Sequence, residues 1–168
     1  VQESKEITGK LLDKLKKQGR LEIPKGTLKP QWSALAKKIK PPASGYIALL
    51  VYAERSARMT RALTPLMAKL RSKYKVPIVL GYGPRYLHSI GQFYKGGTPK
   101  GYFIQFLKTA SKDVRIPGAP FTFRQLITAQ GLGDLKALQN HGLPVMVLPF
   151  VKDVEMTVQR LIQALEND

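Results

Sequence analysis

A chain of 168 residues is about the length of one domain and long enough to close a single substantial core. Its 28 Lys and Arg against 11 Asp and Glu leave a formal charge of +17, which draws anions: nucleic acid, an anionic membrane surface or phosphorylated small molecules. The absence of cysteine excludes disulfides and thiolate metal sites, no apolar run approaches the roughly 18–20 residues that span a bilayer, and no secretory signal pattern is visible, so the expected location is cytoplasmic.

Taken in chain order, residues 3–18 carry Ile7, Leu11, Leu12 and Leu15 at helical spacing, with Gly19 placed to cap the carboxyl end. Residues 20–44 read as an extended connector marked by Pro24, Pro30, Pro41 and Pro42, with one helical turn around 32–38. The continuous apolar run 46–53 is expected to be a strand buried on both faces. Ser56 is placed to cap a helix reaching about residue 74, in which Pro65 kinks or delays the regular part. A second buried strand is expected at 76–80, followed by a glycine-rich polar turn and a short helix. The pattern then predicts a strand at 101–107, a loop at 110–120, and a helix over 123–140 ended by His141 and Gly142. A strand at 144–150 and an amphipathic helix over 153–165 close the chain. Strands alternating with helices predict a three-layer α/β/α sandwich with a mainly parallel sheet, one domain spanning 1–168.

Residues 5–40 hold eleven Lys and Arg against three Asp and Glu. They mix with Pro, Gly and Gln, and only Trp32 supplies an aromatic face. No helix-turn-helix, zinc-finger or RNP-like pattern accompanies them. A solvated basic face, or the uncompensated half of a larger protein, is the simpler account; the start at Val1 rather than Met also reads as that of a processed or excised piece.

The stretch Gly81-Tyr82-Gly83-Pro84-Arg85-Tyr86-Leu87-His88-Ser89 follows a predicted strand, where open α/β sheets build their crevices and glycine lets backbone approach a ligand. Gly81-Tyr82-Gly83 lacks the third glycine and the acidic residue of the dinucleotide fingerprint, and Lys95-Gly96-Gly97-Thr98 has the residues of a phosphate loop in the wrong order. His88 reads equally as an acid/base or as a packed helix histidine. Glu3 by itself is an exposed carboxylate at a helix start. Gln130-Gly131-Leu132-Gly133-Asp134 interrupts a helical pattern with glycine, which points to close packing or to a ligand. His141 beside Gly142 is most simply a helix cap. Two lone histidines and scattered carboxylates give no metal-ligand spacing.

Together, Val1-Gln2-Glu3-Ser4-Lys5, the run from Gly81 through Lys95-Gly96-Gly97, Ile116-Pro117-Gly118-Ala119-Pro120-Phe121-Thr122-Phe123 and Ala129-Gln130-Gly131-Leu132-Gly133-Asp134-Leu135 resemble, in that order, the phosphoglucose isomerase family. The likeness is to its C-terminal sugar-isomerase (SIS) domain, above all in the bacterial form fused to transaldolase. It implies interconversion of glucose 6-phosphate and fructose 6-phosphate through a cis-enediol, without metal or cofactor. On this resemblance Glu3 is the carboxylate that shuttles the proton between C1 and C2, and His88 the acid that opens the ring. Gln130 matches a glutamine that contacts substrate, and Lys136 is the nearest candidate for a lysine that the family places one or two turns later. Relatives often carry a histidine where this chain has Tyr94.

The family's phosphate-binding Ser/Thr loop and its enediolate arginine belong largely to the N-terminal half, and no Ser/Thr-rich loop of that kind occurs here. The resemblance therefore implies half an active site, whose partners are a sugar phosphate and an N-terminal isomerase half or another subunit, with no membrane. The rival reading is a non-catalytic SIS-like binding or assembly module whose basic surface faces an acidic partner or nucleic acid.

Overall fold

The computed structural model describes residues 2–23, 31–109, 113–150 and 153–168. Parts of two sequence expectations, the connector at 24–30 and the loop at 110–112, lie outside the described residues, as does Val1. The elements in order are helix α1 (Gln2–Gln18), helix α2 (Trp32–Lys37), strand β1 (Tyr46–Tyr52), helix α3 (Ala57–Tyr74) and strand β2 (Ile78–Tyr82). A 3-10 turn (Arg85–His88), helix α4 (Gly91–Gly96), strand β3 (Gly101–Lys108), helix α5 (Phe123–Asn140), strand β4 (Val145–Phe150) and helix α6 (Val154–Glu166) follow.

The four strands form one all-parallel sheet in the order β2-β1-β3-β4. β1 and β3 are central, and their near-continuous apolar sequences divide between two faces because successive side chains point opposite ways. Ile47, Leu49 and Val51 of β1, with Tyr102, Ile104 and Phe106 of β3, pack with α2, α3 and α6. Ala48, Leu50 and Tyr52, with Phe103 and Leu107, pack on the opposite face with α5 and the segment from the 3-10 turn through α4. The result is the three-layer α/β/α sandwich that the alternation of elements predicts.

Local chemistry explains the boundaries. The Gly19 N–H bonds the Leu15 carbonyl with Gly19 at φ +72°, a left-handed conformation suited to glycine at a helix end. The Ser56 side chain accepts the Met59 N–H to start α3, and α3 continues through Pro65 to Tyr74. Thr122 and Gln125 form a reciprocal capping box on α5. β2 is the displaced element. Its apolar run at 76–80 is shifted to Ile78–Tyr82, because pairing with β1 sets Ile47 opposite Ile78 and Val51 opposite Tyr82. The connector contains the short helix α2, whose Ala36 is buried against the outer layer with neighbouring Ile39.

The chain leaves β1 toward β2 but leaves β3 toward β4, so direction across the sheet reverses between the central strands. Sheets of this kind bind ligands outside the carboxyl ends of their strands near such a reversal. The helices α1 and α5 cover the face on which most of the candidate residues lie.

Candidate functional site

α1 packs on α5, and a missing side chain lets them meet. A Cβ on Gly133 would lie 2.4 Å from Thr8 Oγ1, 3.0 Å from the Ser4 carbonyl oxygen and 3.2 Å from the Thr8 nitrogen. Glycine in this helix therefore serves helix contact. Gly83, in the turn after β2, likewise packs its bare Cα against the Tyr52 ring, where a Cβ would approach to 2.5 Å.

The same contact sets Glu3 at the far end of α5. Its carboxylate accepts a bond from Asn140 Nδ2 at 3.0 Å and lies 2.9 Å from His141 Nε2. Hydrogen bonds from Asn140 and then His141 hold the Glu3 carboxyl below the usual carboxylate range, against a small opposing effect of burial. His141 does cap α5, bonding the Ala137 carbonyl through its backbone N–H, but its ring has this second partner. Glu3, His141, Gln92 and Lys95 line an open cavity of about 550 Å³.

His88 and Gln130 share a different cavity of about 240 Å³, on the other side of the first turns of α1. Ser4, Lys5, Thr8, Gly9 and Leu12 line it from α1, and Pro84 and Leu87 from the turn after β2. His88 is exposed at the end of the 3-10 turn. Glu3 and His88 thus do not share a cavity, although Ser4, next to Glu3, lies in the cavity of His88 and Gln130. Lys136 is exposed on α5 and lines neither.

Between these cavities runs a buried polar network that sequence reasoning did not assign. Asp134 has no solvent exposure, and its carboxylate accepts bonds from Tyr86 Oη, Lys95 Nζ and, at 3.4 Å, Ser4 Oγ. Tyr52 and Tyr86 are joined hydroxyl to hydroxyl at 3.2 Å. Since Tyr86 donates to the carboxylate, Tyr52 donates to Tyr86, and the chain of donors has one direction. Burial pushes both phenols well above their usual range, reinforced by the nearby Asp134 carboxylate. Tyr94 is buried too, stacked on Tyr46 at 5.7 Å and edge-on to Phe103 at 5.1 Å. The available sequence signal was the position of Asp134 beside two glycines: a carboxylate at a close helix contact is buried and requires partners.

Among the described residues, no group of three or more His, Asp or Glu side chains is placed to hold a metal ion. No helix among them is long and apolar enough to cross a membrane.

Neither a family model nor a curated protein matches the sequence. Among solved structures, the fold is similar to that of the hypothetical protein TT0462 from Thermus thermophilus, with a TM-score of 0.62 and 16% identity over 80% of this chain and 42% of that one. At that identity the likeness is one of fold, and this chain spans less than half the length of that neighbour.

Proposed function

We propose that this chain is the C-terminal SIS domain of an aldose–ketose isomerase acting on glucose 6-phosphate and fructose 6-phosphate, completed by an N-terminal half. The observation that carries this reading is the meeting at the first turn of α1, where His88 and Gln130 share a cavity with Ser4, the neighbour of Glu3. His88 and Gln130, far apart in sequence and singled out by one family resemblance, thus face the helix that carries Glu3 in the neighbouring cavity.

The chemistry suits the residue types. Removing a proton from carbon beside a carbonyl needs an ionised, positioned carboxylate, worth about 10²–10⁴-fold in rate. Glu3, held below the ordinary carboxylate range by Asn140 and His141, is ionised at neutral pH. Delivering a proton to the ring oxygen suits an exposed imidazole such as His88, and the Gln130 amide can steady developing oxygen charge without adding a competing base. Lys136 lines neither cavity, and its role rests on the resemblance alone.

The test is isomerase turnover with the N-terminal half supplied, on one chain or in trans. Glu3→Gln is expected to cost at least about a hundredfold in kcat. Unchanged kcat in that variant, or no isomerisation by the completed wild-type enzyme, would overturn the assignment.

A further inference from the structure

A further recess opens beyond the carboxyl ends of β1 and β2; neither Glu3 nor Gln130 lines it, and it shares only Pro84 with the cavity of His88 and Gln130. It measures about 580 Å³, within the range of about 300–1,000 Å³ usual for small-molecule sites. Its floor is Tyr82 and the backbone of Gly81 and Gly83, and its polar rim is Arg55, Arg85, Thr60 and Ser89. No carboxylate lines it. That sets it apart from the cavity at the ends of β1 and β3, which is lined by Glu54 and Asp113, and from the one beside it, which is lined by Asp153 and Glu155.

We propose that this recess binds a dianionic phosphate monoester, gripped by the guanidinium groups of Arg55 and Arg85. Both arginines are exposed, and among the described residues neither has a hydrogen bond or ion pair to another side chain. Arg55 stands over the Tyr82 ring, its central carbon 5.9 Å from the ring centre, a cation–π contact that steadies the side chain and leaves its N–H groups open. The nearby acid does not neutralise it: Glu54, its sequence neighbour, turns away to Lys108 at 3.6 Å.

The hydroxyls on the rim are already engaged. Thr60 Oγ1 lies 3.2 Å from the Ser56 carbonyl and 3.0 Å from Tyr82 Oη, and Ser89 Oγ donates to the Tyr86 carbonyl at 3.2 Å. The free donors are therefore the two guanidiniums, whose planar forks match phosphate oxygens two at a time. A doubly charged, compact anion suits two such forks better than a carboxylate or a singly charged diester. The sequence lacks a serine-rich phosphate loop, and this recess would supply an anion grip by other means. The inference does not depend on isomerase chemistry.

Titration of the full chain with inorganic phosphate, followed by calorimetry and by ³¹P line broadening, tests it. Saturable binding at one site is expected, with Arg55→Ala and Arg85→Ala each weakening it by about tenfold or more and Arg85→Lys by less. Lys10→Ala and Lys17→Ala, which remove exposed charge on α1, should leave it unchanged. Circular dichroism checks that each variant is folded, and Arg85→Gln serves as a second neutral variant. Unsaturable binding, equal losses in the lysine and arginine variants, or full affinity in both arginine variants would overturn the proposal. So would a single-stranded oligonucleotide that displaces phosphate from the same arginines with steep salt dependence, since that assigns the recess to a nucleic-acid backbone. Because the readout is binding, failure of the isomerase assay leaves this result standing, and the converse also holds.

Discussion

Asp134 is enclosed on every side, and its carboxylate faces the ammonium of Lys95, whose side chain is only 8% exposed. A buried pair of this kind adds little net stability over a well-packed apolar pair, but removing one partner strands the other charge. Asp134→Ala is therefore expected to cost about 3–5 kcal/mol in urea unfolding, since it leaves Lys95 without its carboxylate and Tyr86 without an acceptor. Lys95→Met made in the same protein removes the stranded charge, so the double variant should be more stable than Asp134→Ala alone. Simple addition of the two losses would show that Asp134 acts through Tyr86 and Ser4 instead. Little of this was legible beforehand. Asp134 reads as one polar position in a helical pattern, and Lys95 as part of a loop. Only the ion pair between Lys95 on α4 and Asp134 on α5 shows them to be one buried unit.

At the scale of elements, Gly9 on α1 and Gly133 on α5 should respond to an added Cβ with opposite signs, because only Gly133 stands at the contact between the two helices. Alanine normally improves on glycine inside a helix by about 1 kcal/mol. Gly9, within α1, has open space where a Cβ would stand, so Gly9→Ala should stabilise by roughly 0.5–1 kcal/mol. Gly133→Ala would drive its Cβ against the backbone of Ser4 and Thr8, atoms that move only if the whole helix shifts. The expected cost is about 1–3 kcal/mol, measured by the same unfolding midpoint. Equal effects at the two glycines would mean that α1 does not pack as described. The sheet and its helices were readable because each carries a periodic apolar face or a cap: the β1 run, Ser56 before α3, and His141-Gly142 after α5. The β2 boundary was not readable, since its register with Ile47 and Val51, not its own hydrophobicity, carries the strand on to Tyr82. The clasp of Glu3 by Asn140 and His141 was also hidden, because a contact at a sequence separation of 137 or 138 leaves no local pattern.

For the whole molecule, the charge imbalance and the few carboxylates act together as the pH falls. Protonating the 11 acidic side chains and two histidines carries the formal charge from +17 to +30. The acids being neutralised are also structural ties. Glu3 joins α1 to the end of α5, and Glu155 joins α6 to Arg58 on α3 at 2.7 Å. Both are held below the ordinary value of 4.5, Glu3 by Asn140 and His141 and Glu155 chiefly by its bond from Arg58. A depressed folded-state pKa contributes stability that is present above the unfolded value and lost as pH falls through the folded one. Each tie is solvent-exposed and contributes little alone, but each is lost as self-repulsion among 28 basic side chains goes unopposed. The melting temperature is therefore expected to hold between pH 7 and 5 and to fall steeply below about pH 4.5. Salt should separate the two causes. Screening relieves repulsion but cannot restore a protonated carboxylate, so about 0.5 M salt at pH 3 should recover part of the lost melting temperature and not all of it. Full recovery would assign the loss to repulsion alone, whereas no recovery would assign it to the broken ties.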